Sequence, residues 1–144
     1  RIGQRHNVYR RIAKSKINMS EKTKYKILMV EDDESQSLMY QIEFKNFGID
    51  LAIVNDGEVA YDEIVRQKPD LVLLDMLIGK VSGLDVLNKI KADAATKNIK
   101  VVIISNYNKK ELNAECKKAG AIDYWVKSDY VPKQIVEKVQ AILK

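Results

Sequence analysis

The 144-residue sequence has little cysteine, little histidine and no long apolar run. Its single cysteine, Cys116, excludes an internal disulfide framework and fits a reducing compartment. Its single histidine, His6, argues against a histidine-based metal site and against a Ser-His-Asp triad. No stretch approaches the roughly 18 to 20 apolar residues of a membrane span, and no apolar segment of a secretory signal follows the basic start. We therefore expect one cytoplasmic domain with no membrane partner.

The positive charge of the chain is concentrated at its start. Residues 1–18 hold six Arg or Lys and no acid, which leaves 19 basic and 20 acidic residues elsewhere, or about −1. Met19 resembles a natural start, so we interpret residues 1–18 as an artificial or upstream-encoded extension and expect the domain to occupy 19–144. The alternative is a basic arm that binds nucleic acid or a membrane surface. We expect no nucleic-acid partner for the domain itself.

From residue 26 onward, short apolar runs alternate with amphipathic stretches. The runs cover 26–30, 51–55, 71–75, 100–105 and 122–127. They are rich in aliphatic and β-branched residues without polar alternation, which is typical of parallel strands covered on both faces. Five strands alternating with five helices predict an α/β domain with a doubly wound, five-stranded parallel sheet, (βα)5. The fifth helix reaches the end of the chain, so we expect a domain of the single-domain type.

Apolar residues at helical spacing predict helices between the strands. In the first helix, Leu38, Met39 and Ile42 are the apolar residues at helical spacing. A later helix carries Leu112, Cys116 and Ala119 at i, i+4 and i+7, a pattern that predicts a buried Cys116. Gly48 and Gly120 are placed as residues that end helices.

Polar side chains stand where the predicted strands end. In an open parallel sheet, ligands bind outside the carboxyl ends of the strands, so these residues meet at one edge. They are Glu31, Asp32, Asp33, Asp75, Ser105 and Lys127. We expect Asp33 to be an acid at a helix N-terminus rather than a ligand, since the helix dipole favours one there.

Clustered carboxylates need a counter-charge, because two unit charges about 4 Å apart repel by roughly 4 kcal/mol at an effective dielectric near 20. A hard cation with oxygen ligands, Mg²⁺ or Mn²⁺, fits this set. Magnesium held by one or two carboxylates commonly acts on phosphates. With the Lys127 ammonium and the Ser105 hydroxyl, it could contact the phosphoryl oxygens, and Asp75 remains to accept the group.

Four motifs in this order resemble the receiver domain of two-component response regulators. They are "VEDD" after the first strand, "LVLLD" with Gly83 eight residues beyond the aspartate, "VVIIS" and "GAIDYWVK". Ser105 lies 30 residues and Lys127 lies 52 residues after Asp75, spacings that suit the family. The resemblance covers about residues 25–144 and implies a flavodoxin-like sheet with strand order 2-1-3-4-5.

The resemblance implies a chemical role for the acidic residues. Asp75 would accept a phosphoryl group from a histidine kinase or a histidine phosphotransfer protein. Asp32 would ligate Mg²⁺ directly and Glu31 through water, with Asp75 and the backbone carbonyl of Leu77 completing the protein ligands. Mn²⁺ could replace Mg²⁺. The domain would be regulatory rather than an enzyme, beyond taking part in its own phosphoryl transfer and dephosphorylation.

The resemblance also implies a switch. Ser105 and Lys127 would bind the phosphoryl oxygens, and Tyr124 would swing inward as Ser105 moves. The resulting population shift would act through helix 4, strand 5 and helix 5 on a downstream protein. We expect a monomer or a phosphorylation-dependent dimer.

Several residues depart from the usual receiver pattern. Ile78 stands where methionine is usual, and Ser105 replaces the commoner threonine but keeps the hydroxyl. Gly79 stands where proline is usual, which makes that loop less rigid. Asn106 replaces a small residue and could crowd the phosphate or hydrogen-bond to it. Ser128 replaces the proline that often follows the lysine. Since a cis X–Ser bond costs about 2.5–4 kcal/mol, we expect a trans peptide there.

Two positions bear on the lifetime of the phosphorylated form. Leu77 and Tyr107, two residues beyond Asp75 and Ser105, are large and are neither acidic nor amide-bearing. We expect them to hinder an attacking water, so that the phosphorylated form persists.

Two alternatives to a phospho-acceptor remain. An aspartate-nucleophile phosphatase of the haloacid-dehalogenase kind needs a second aspartate two residues after the nucleophile, and Leu77 occupies that position. A phosphorylation-independent interaction module that keeps the fold is the other.

Overall fold

A computed structural model describes residues 25–144 and contains a five-stranded parallel sheet. Its strands are β1 (Ile27–Val30), β2 (Leu51–Val54), β3 (Leu71–Leu74), β4 (Lys100–Ser105) and β5 (Asp123–Val126). Their spatial order is β2-β1-β3-β4-β5. The predicted doubly wound fold and its strand order are confirmed. The predictions for residues 1–18 lie outside the described residues.

Five helices cover the two faces of the sheet. They are α1 (Glu34–Asn46), α2 (Gly57–Gln67), α3 (Gly83–Ala92), α4 (Lys110–Lys118) and α5 (Pro132–Leu143). A 3-10 turn, Lys127–Asp129, follows β5. Two-residue strands, Leu77–Ile78 and Val81–Ser82, form a short antiparallel ribbon between β3 and α3. The sequence patterns predicted neither the turn nor the ribbon, because two or three residues are too few to show a repeating pattern.

Alternate residues of each strand belong to two hydrophobic cores, as the pleat of a strand requires. Leu28 and Val30 of β1 pack into one core with side chains of α2, α3 and α4. Ile27 and Met29 pack into the other with side chains of α1 and α5. Cys116 is fully buried in the first of these, as predicted. Because both faces are covered, every residue of β1 and β3 is buried.

Helix ends follow the local sequence. Asp33, Asp56 and Ser82 are N-caps whose side chains accept backbone N–H hydrogen bonds from the first turns of α1, α2 and α3. The expectation that Asp33 is a helix N-terminal acid is thus confirmed. Gly48 and Gly120 have φ angles of 79° and 115° just beyond α1 and α4, as the prediction of helix-ending glycines requires.

The apolar residues that predicted α1 do not form its buried face. Leu38, Met39 and Ile42 are exposed, with relative accessibilities of 55%, 40% and 55%. The buried residues of this helix are Ser37, Tyr40 and Phe44. Phe44 and Tyr40 fill the space against α5, and Ser37 satisfies its hydroxyl by donating to the Glu34 carbonyl at 3.0 Å. A small hydroxyl residue therefore lies on the buried side of α1 together with two aromatic residues.

Asp75 and Lys127, two of the predicted site residues, lie just past the ends of their strands rather than within them. β3 ends at Leu74, so Asp75 is the first residue after it, and β5 ends at Val126, so Lys127 opens the 3-10 turn. The predicted edge is unchanged by these one-residue differences. No helix in the range 25–144 is long and apolar enough to cross a lipid bilayer.

Candidate functional site

The sheet delivers the predicted residues to its carboxyl edge. Glu31 follows β1, and its N–H donates to the Val54 carbonyl at 3.0 Å. Asp75 follows the adjacent β3, and its N–H donates to the Val30 carbonyl at 3.3 Å. Strand pairing thus fixes the backbone of both carboxylate residues. Ser105 closes β4 opposite Val126, which places Lys127 one step beyond the last β4–β5 pair.

Lys127 is the centre of a buried charge cluster. Its Nζ donates to Glu31 Oε1, to Asp75 Oδ2 at 3.1 Å and to Gln36 Oε1 at 2.9 Å. The side chains of Lys127, Glu31 and Asp75 are 9%, 3% and 11% exposed. An ammonium has three donors, and here each has an acceptor. The prediction that Asp75, Glu31 and Lys127 meet at one edge agrees with this geometry.

The cluster keeps the lysine charged. Burial alone would lower the pKa of Lys127, but the hydrogen bond to Glu31 and the negative charge of Asp75 outweigh it. The net effect raises the pKa of Lys127 above its ordinary value of 10.5. The edge therefore carries a fixed positive charge beside a buried carboxylate at neutral pH.

Asp32 and the segment after Asp75 form the exposed side of the site. Asp32 is exposed, and its Oδ2 accepts a hydrogen bond from the Gly79 N–H at 2.9 Å. The Leu77 N–H donates to Asp75 Oδ1 at 3.3 Å. The ribbon that carries Leu77 and Gly79 thus contacts both carboxylates. A proline at position 79 could not make the first of these bonds, because it has no N–H.

The available donors suit a hard cation. Glu31, Asp32 and Asp75 supply only oxygens, and Mg²⁺ commonly uses one or two carboxylates while keeping several waters. In the part of the chain that the structure describes, no three His, Cys, Asp or Glu side chains surround a common point. Asp32 faces Gly79, whereas Glu31 and Asp75 face Lys127. The chemistry of the donor set fits Mg²⁺ or Mn²⁺, and the side chains are engaged with protein partners.

Ser105 and Tyr124 are joined through Tyr107. Ser105 is buried, and its Oγ accepts a hydrogen bond from the Tyr107 N–H at 3.1 Å. The Tyr124 hydroxyl donates to the Tyr107 carbonyl, and Tyr124 is only 6% exposed. Burial raises the pKa of Tyr124, so its hydroxyl remains a donor. The β4–α4 loop therefore contacts both Ser105 and Tyr124 through one residue.

Gly83 allows α3 to begin against the backbone of Asp75. Its N–H donates to the Met76 carbonyl at 2.8 Å. A Cβ at this position would lie 2.1 Å from the Asp75 carbonyl oxygen. This close approach gives a physical reason for the glycine eight residues after the aspartate.

The sequence patterns did not indicate Gln36 as a site residue, nor the hydrogen-bond partner of Asn106. Gln36, on the first turn of α1, contacts Lys127 as described above. Asn106 is exposed, and its Oδ1 accepts a hydrogen bond from the Ser128 N–H at 3.0 Å. The sequence marks Asn106 as a departure from the family pattern but does not indicate Ser128 as its partner. The peptide bond between Lys127 and Ser128 is trans, as expected.

Comparison with known proteins points in one direction. A family model for the response regulator receiver domain matches residues 27–140. The DNA-binding response regulator MtrA of Mycobacterium tuberculosis (strain ATCC 25618 / H37Rv) is 33% identical over 119 residues, which cover 83% of this chain and 50% of MtrA. The chain thus spans about half the length of that relative.

Solved structures agree with the sequence matches. The Mn(2+)-bound form of response regulator Rcp1 is 28% identical, with a TM-score of 0.68 and coverage of 82% of this chain and 91% of that one. The phosphorylated cyanobacterial phytochrome response regulator RcpA is 28% identical, with a TM-score of 0.69 and coverage of 82% and 90%.

Proposed function

The chain belongs to the response regulator receiver domain family, and we propose that it accepts a phosphoryl group on Asp75 from a histidine kinase or a histidine phosphotransfer protein. The observation that carries this proposal is the position of Asp75. Its carboxylate is buried at the carboxyl edge of the sheet, 3.1 Å from a charged lysine and beside Glu31. This arrangement joins a nucleophile to a fixed cation.

Phosphoryl transfer depends mainly on the positioning of the reacting groups and on the stabilisation of charge on the phosphoryl oxygens. A carboxylate oxygen of Asp75 forms a bond to phosphorus, and the bond from phosphorus to the donor's imidazole nitrogen breaks, so that nitrogen keeps the electron pair. Charge is then spread over three equatorial oxygens. Lys127 Nζ can turn to one of them, and the Ser105 hydroxyl can donate to another. Both side chains are already held by the strand ends that carry them.

A bound Mg²⁺ would neutralise charge on the phosphoryl oxygens. Glu31, Asp32 and Asp75 would hold it together with the backbone carbonyl of Leu77. The all-oxygen donor set supports this assignment, and so does the bound Mn²⁺ that is named for Rcp1. Asp32 would have to exchange its hydrogen bond from Gly79 for the ion.

The contacts of Tyr107 support a role for Tyr124 in signalling. If the Ser105 Oγ moves to donate to a phosphoryl oxygen, the Tyr107 N–H that donates to it would move as well. The Tyr107 carbonyl also holds the Tyr124 hydroxyl. Phosphorylation would thereby bias the conformation of the face formed by α4, β5 and α5. That face would signal by contact with a downstream protein.

The surface beside the site suits a protein as phosphodonor. Leu38, Met39 and Ile42 expose apolar area on α1, the helix whose first turn carries Gln36 against Lys127. Contiguous exposed apolar side chains commonly mark a site of contact with another protein. We assign the domain to the cytoplasm, where such donors act. MtrA is named as DNA-binding, and for this chain we propose only the phospho-acceptor role.

The test is phosphorylation by a small donor. The protein is incubated with Mg²⁺ and acetyl phosphate, and its intact mass is measured. We expect one added phosphoryl group on the wild type and none on Asp75→Asn. Asp33→Asn is the matched control, because asparagine retains the N-cap and the variant should label like the wild type. No adduct on the wild type, or an adduct on Asp75→Asn, would overturn the proposal and favour a phosphorylation-independent module.

A further inference from the structure

The hydrogen bond between Asn106 and Ser128 joins the loops that carry the two candidate phosphate-binding side chains. Asn106 directly follows Ser105, and Ser128 directly follows Lys127. The pairing of β4 with β5 ends at Ser105 and Val126. Beyond that pair, Asn106 Oδ1 accepts from the Ser128 N–H at 3.0 Å. The Asn106 side chain thus links the two segments beyond the last backbone pair of β4 and β5.

The bond uses a donor that the turn leaves available. Ser128 is the second residue of the 3-10 turn Lys127–Asp129, and the first N–H groups of a helical turn have no partner within it. The turn's own closing bond runs from the Tyr130 N–H to the Lys127 carbonyl at 3.2 Å. Asn106 therefore caps the turn from the neighbouring loop. This fixes the backbone on which Lys127 stands.

The two departures noted in the sequence are complementary. Asparagine provides an acceptor where a small residue would provide none. Serine provides an N–H where proline would lack one. Neither change alone forms the bond, because the acceptor and the donor come from different loops.

We infer that Asn106 is a positioning residue that, through its hydrogen bond to the Ser128 N–H, holds Ser105 and Lys127 at a fixed separation for the phosphoryl group. The inference rests on the proposed phospho-acceptor function. Asn106 acts through its neighbours, so it affects the rate of transfer more than the binding of the donor. Loss of one neutral hydrogen bond corresponds to roughly a two- to tenfold lower rate at saturating donor.

The test compares variants that remove either end of the bond. Asn106→Leu keeps approximate size but removes the acceptor, and Ser128→Pro removes the donor. Ser128→Ala is the matched control, since it removes the hydroxyl and keeps the N–H. Acetyl phosphate labelling of Asp75 is followed across donor concentrations. We expect about a two- to tenfold lower maximal rate for Asn106→Leu and for Ser128→Pro, an unchanged half-saturating concentration, and wild-type behaviour of Ser128→Ala.

Two further measurements distinguish this positioning role of Asn106 from a nonspecific disturbance of the folded structure. The double variant Asn106→Leu/Ser128→Pro should be no slower than the slower single variant, because both changes remove one bond. The Ser128 amide resonance should shift in Asn106→Leu if the bond exists in solution. Additive losses, an unmoved Ser128 amide, or a wild-type rate in Asn106→Leu would overturn the inference. If the wild type itself takes no phosphoryl group, the proposed function fails instead.

Discussion

Gln36 Oε1 accepts a hydrogen bond from Lys127 Nζ at 2.9 Å, so a neutral amide shares the ammonium with two buried carboxylates. The three acceptors differ in the free energy that is needed to separate each of them from Lys127. Separating Lys127 from Glu31 or Asp75 breaks an ion pair in a partly dehydrated site, whereas separating it from Gln36 breaks a bond to a neutral group. The bond to Gln36 is therefore the one that Lys127 can most readily exchange for a phosphoryl oxygen.

Replacing Gln36 should lower stability by the amount typical of a bond to a charged group. Gln36→Met keeps the length and removes the acceptor, and we expect the free energy of unfolding in urea to fall by about 1.5–3 kcal/mol. Gln41→Met is the control, because Gln41 donates to the neutral Leu51 carbonyl at 3.2 Å. Its loss should be about 0.5–1.5 kcal/mol. Equal losses in the two variants would show that the charge of Lys127 adds nothing.

Magnesium should stabilise the protein through Asp32. A ligand that binds only the folded state raises its stability by an amount that grows with the ratio of ligand concentration to Kd. We expect the melting temperature of the wild type to rise with Mg²⁺ and that of Asp32→Asn to stay nearly constant. Asp33→Asn should respond like the wild type, since its side chain caps α1 through the Gln36 N–H. A full magnesium response in Asp32→Asn would remove Asp32 from the ligand set.

The strand ends could be predicted from sequence, whereas the side-chain partners could not. Each strand is an apolar run covered on both faces, so the first polar residue after it marks the edge of the sheet. This rule located Glu31, Asp75 and Lys127 to within one residue. The partners of Gln36 and Asn106 depend on how loops from distant parts of the chain approach each other, and no period in the sequence records that.

Gly83 tests how closely α3 approaches the site. Because a Cβ there would meet the Asp75 carbonyl oxygen at 2.1 Å, Gly83→Ala must move backbone. We expect a loss of unfolding free energy of about 2 kcal/mol or more and slower labelling of Asp75. Gly79→Ala meets nothing within 4 Å, and its φ of 62° predicts a cost of only about 1–2 kcal/mol. A larger loss at position 79 than at 83 would contradict the close contact.

The first helix shows that apolar spacing can indicate a helix without indicating its buried face. Leu38 and Ile42 are at helical spacing, yet both are exposed. The buried face of α1 instead contains Tyr40 and Phe44, whose rings pack in the core shared with α5. Ser37 lies on the same side because it is small and satisfies its hydroxyl within the helix. Tyr40, Phe44 and Phe47 stand at i, i+4 and i+7, so the sequence also contains an apolar helical pattern for the face that is buried.

Asp123 should contribute stability that disappears in acid. Burial favours its neutral form, but the Tyr124 N–H, the Trp125 indole and Lys117 outweigh burial, so the pKa of Asp123 lies below its ordinary 3.8. Between the two pKa values the unfolded chain binds more protons, so this contribution is complete well above pH 3.8 and falls as the pH drops through the folded-state pKa.

The measurement compares wild type with Asp123→Asn in urea at several pH values. We expect the wild type to be more stable at pH 7, with a difference that narrows below about pH 4. Asp50→Asn is the control, because the Asp50 side chain is 87% exposed and its ion pair with Lys45 spans 3.9 Å. That variant should match the wild type throughout. A difference for Asp123→Asn that stays constant with pH would show that the charge is not responsible.

The exposed side chain of Leu77 should prolong the life of the phosphorylated protein. Leu77 is 58% exposed beside Asp75, and its N–H already contacts the Asp75 carboxylate. We expect this apolar side chain to offer an attacking water no hydrogen bond and to cover part of its approach. Leu77→Asn introduces an amide that can orient that water, and we expect dephosphorylation to accelerate on the order of tenfold. Leu77→Ala should give a smaller increase, because it uncovers the approach without orienting water.

The lifetime is followed by intact mass after the small donor is removed. Ile122→Asn is the control, since Ile122 is also exposed but precedes β5 at the opposite edge of the sheet, and it should leave the lifetime unchanged. A wild-type half-life of seconds, or an unaltered lifetime in Leu77→Asn, would contradict the role of this side chain. Equal acceleration by alanine and asparagine would assign the whole effect to steric cover, because only asparagine can hold the attacking water.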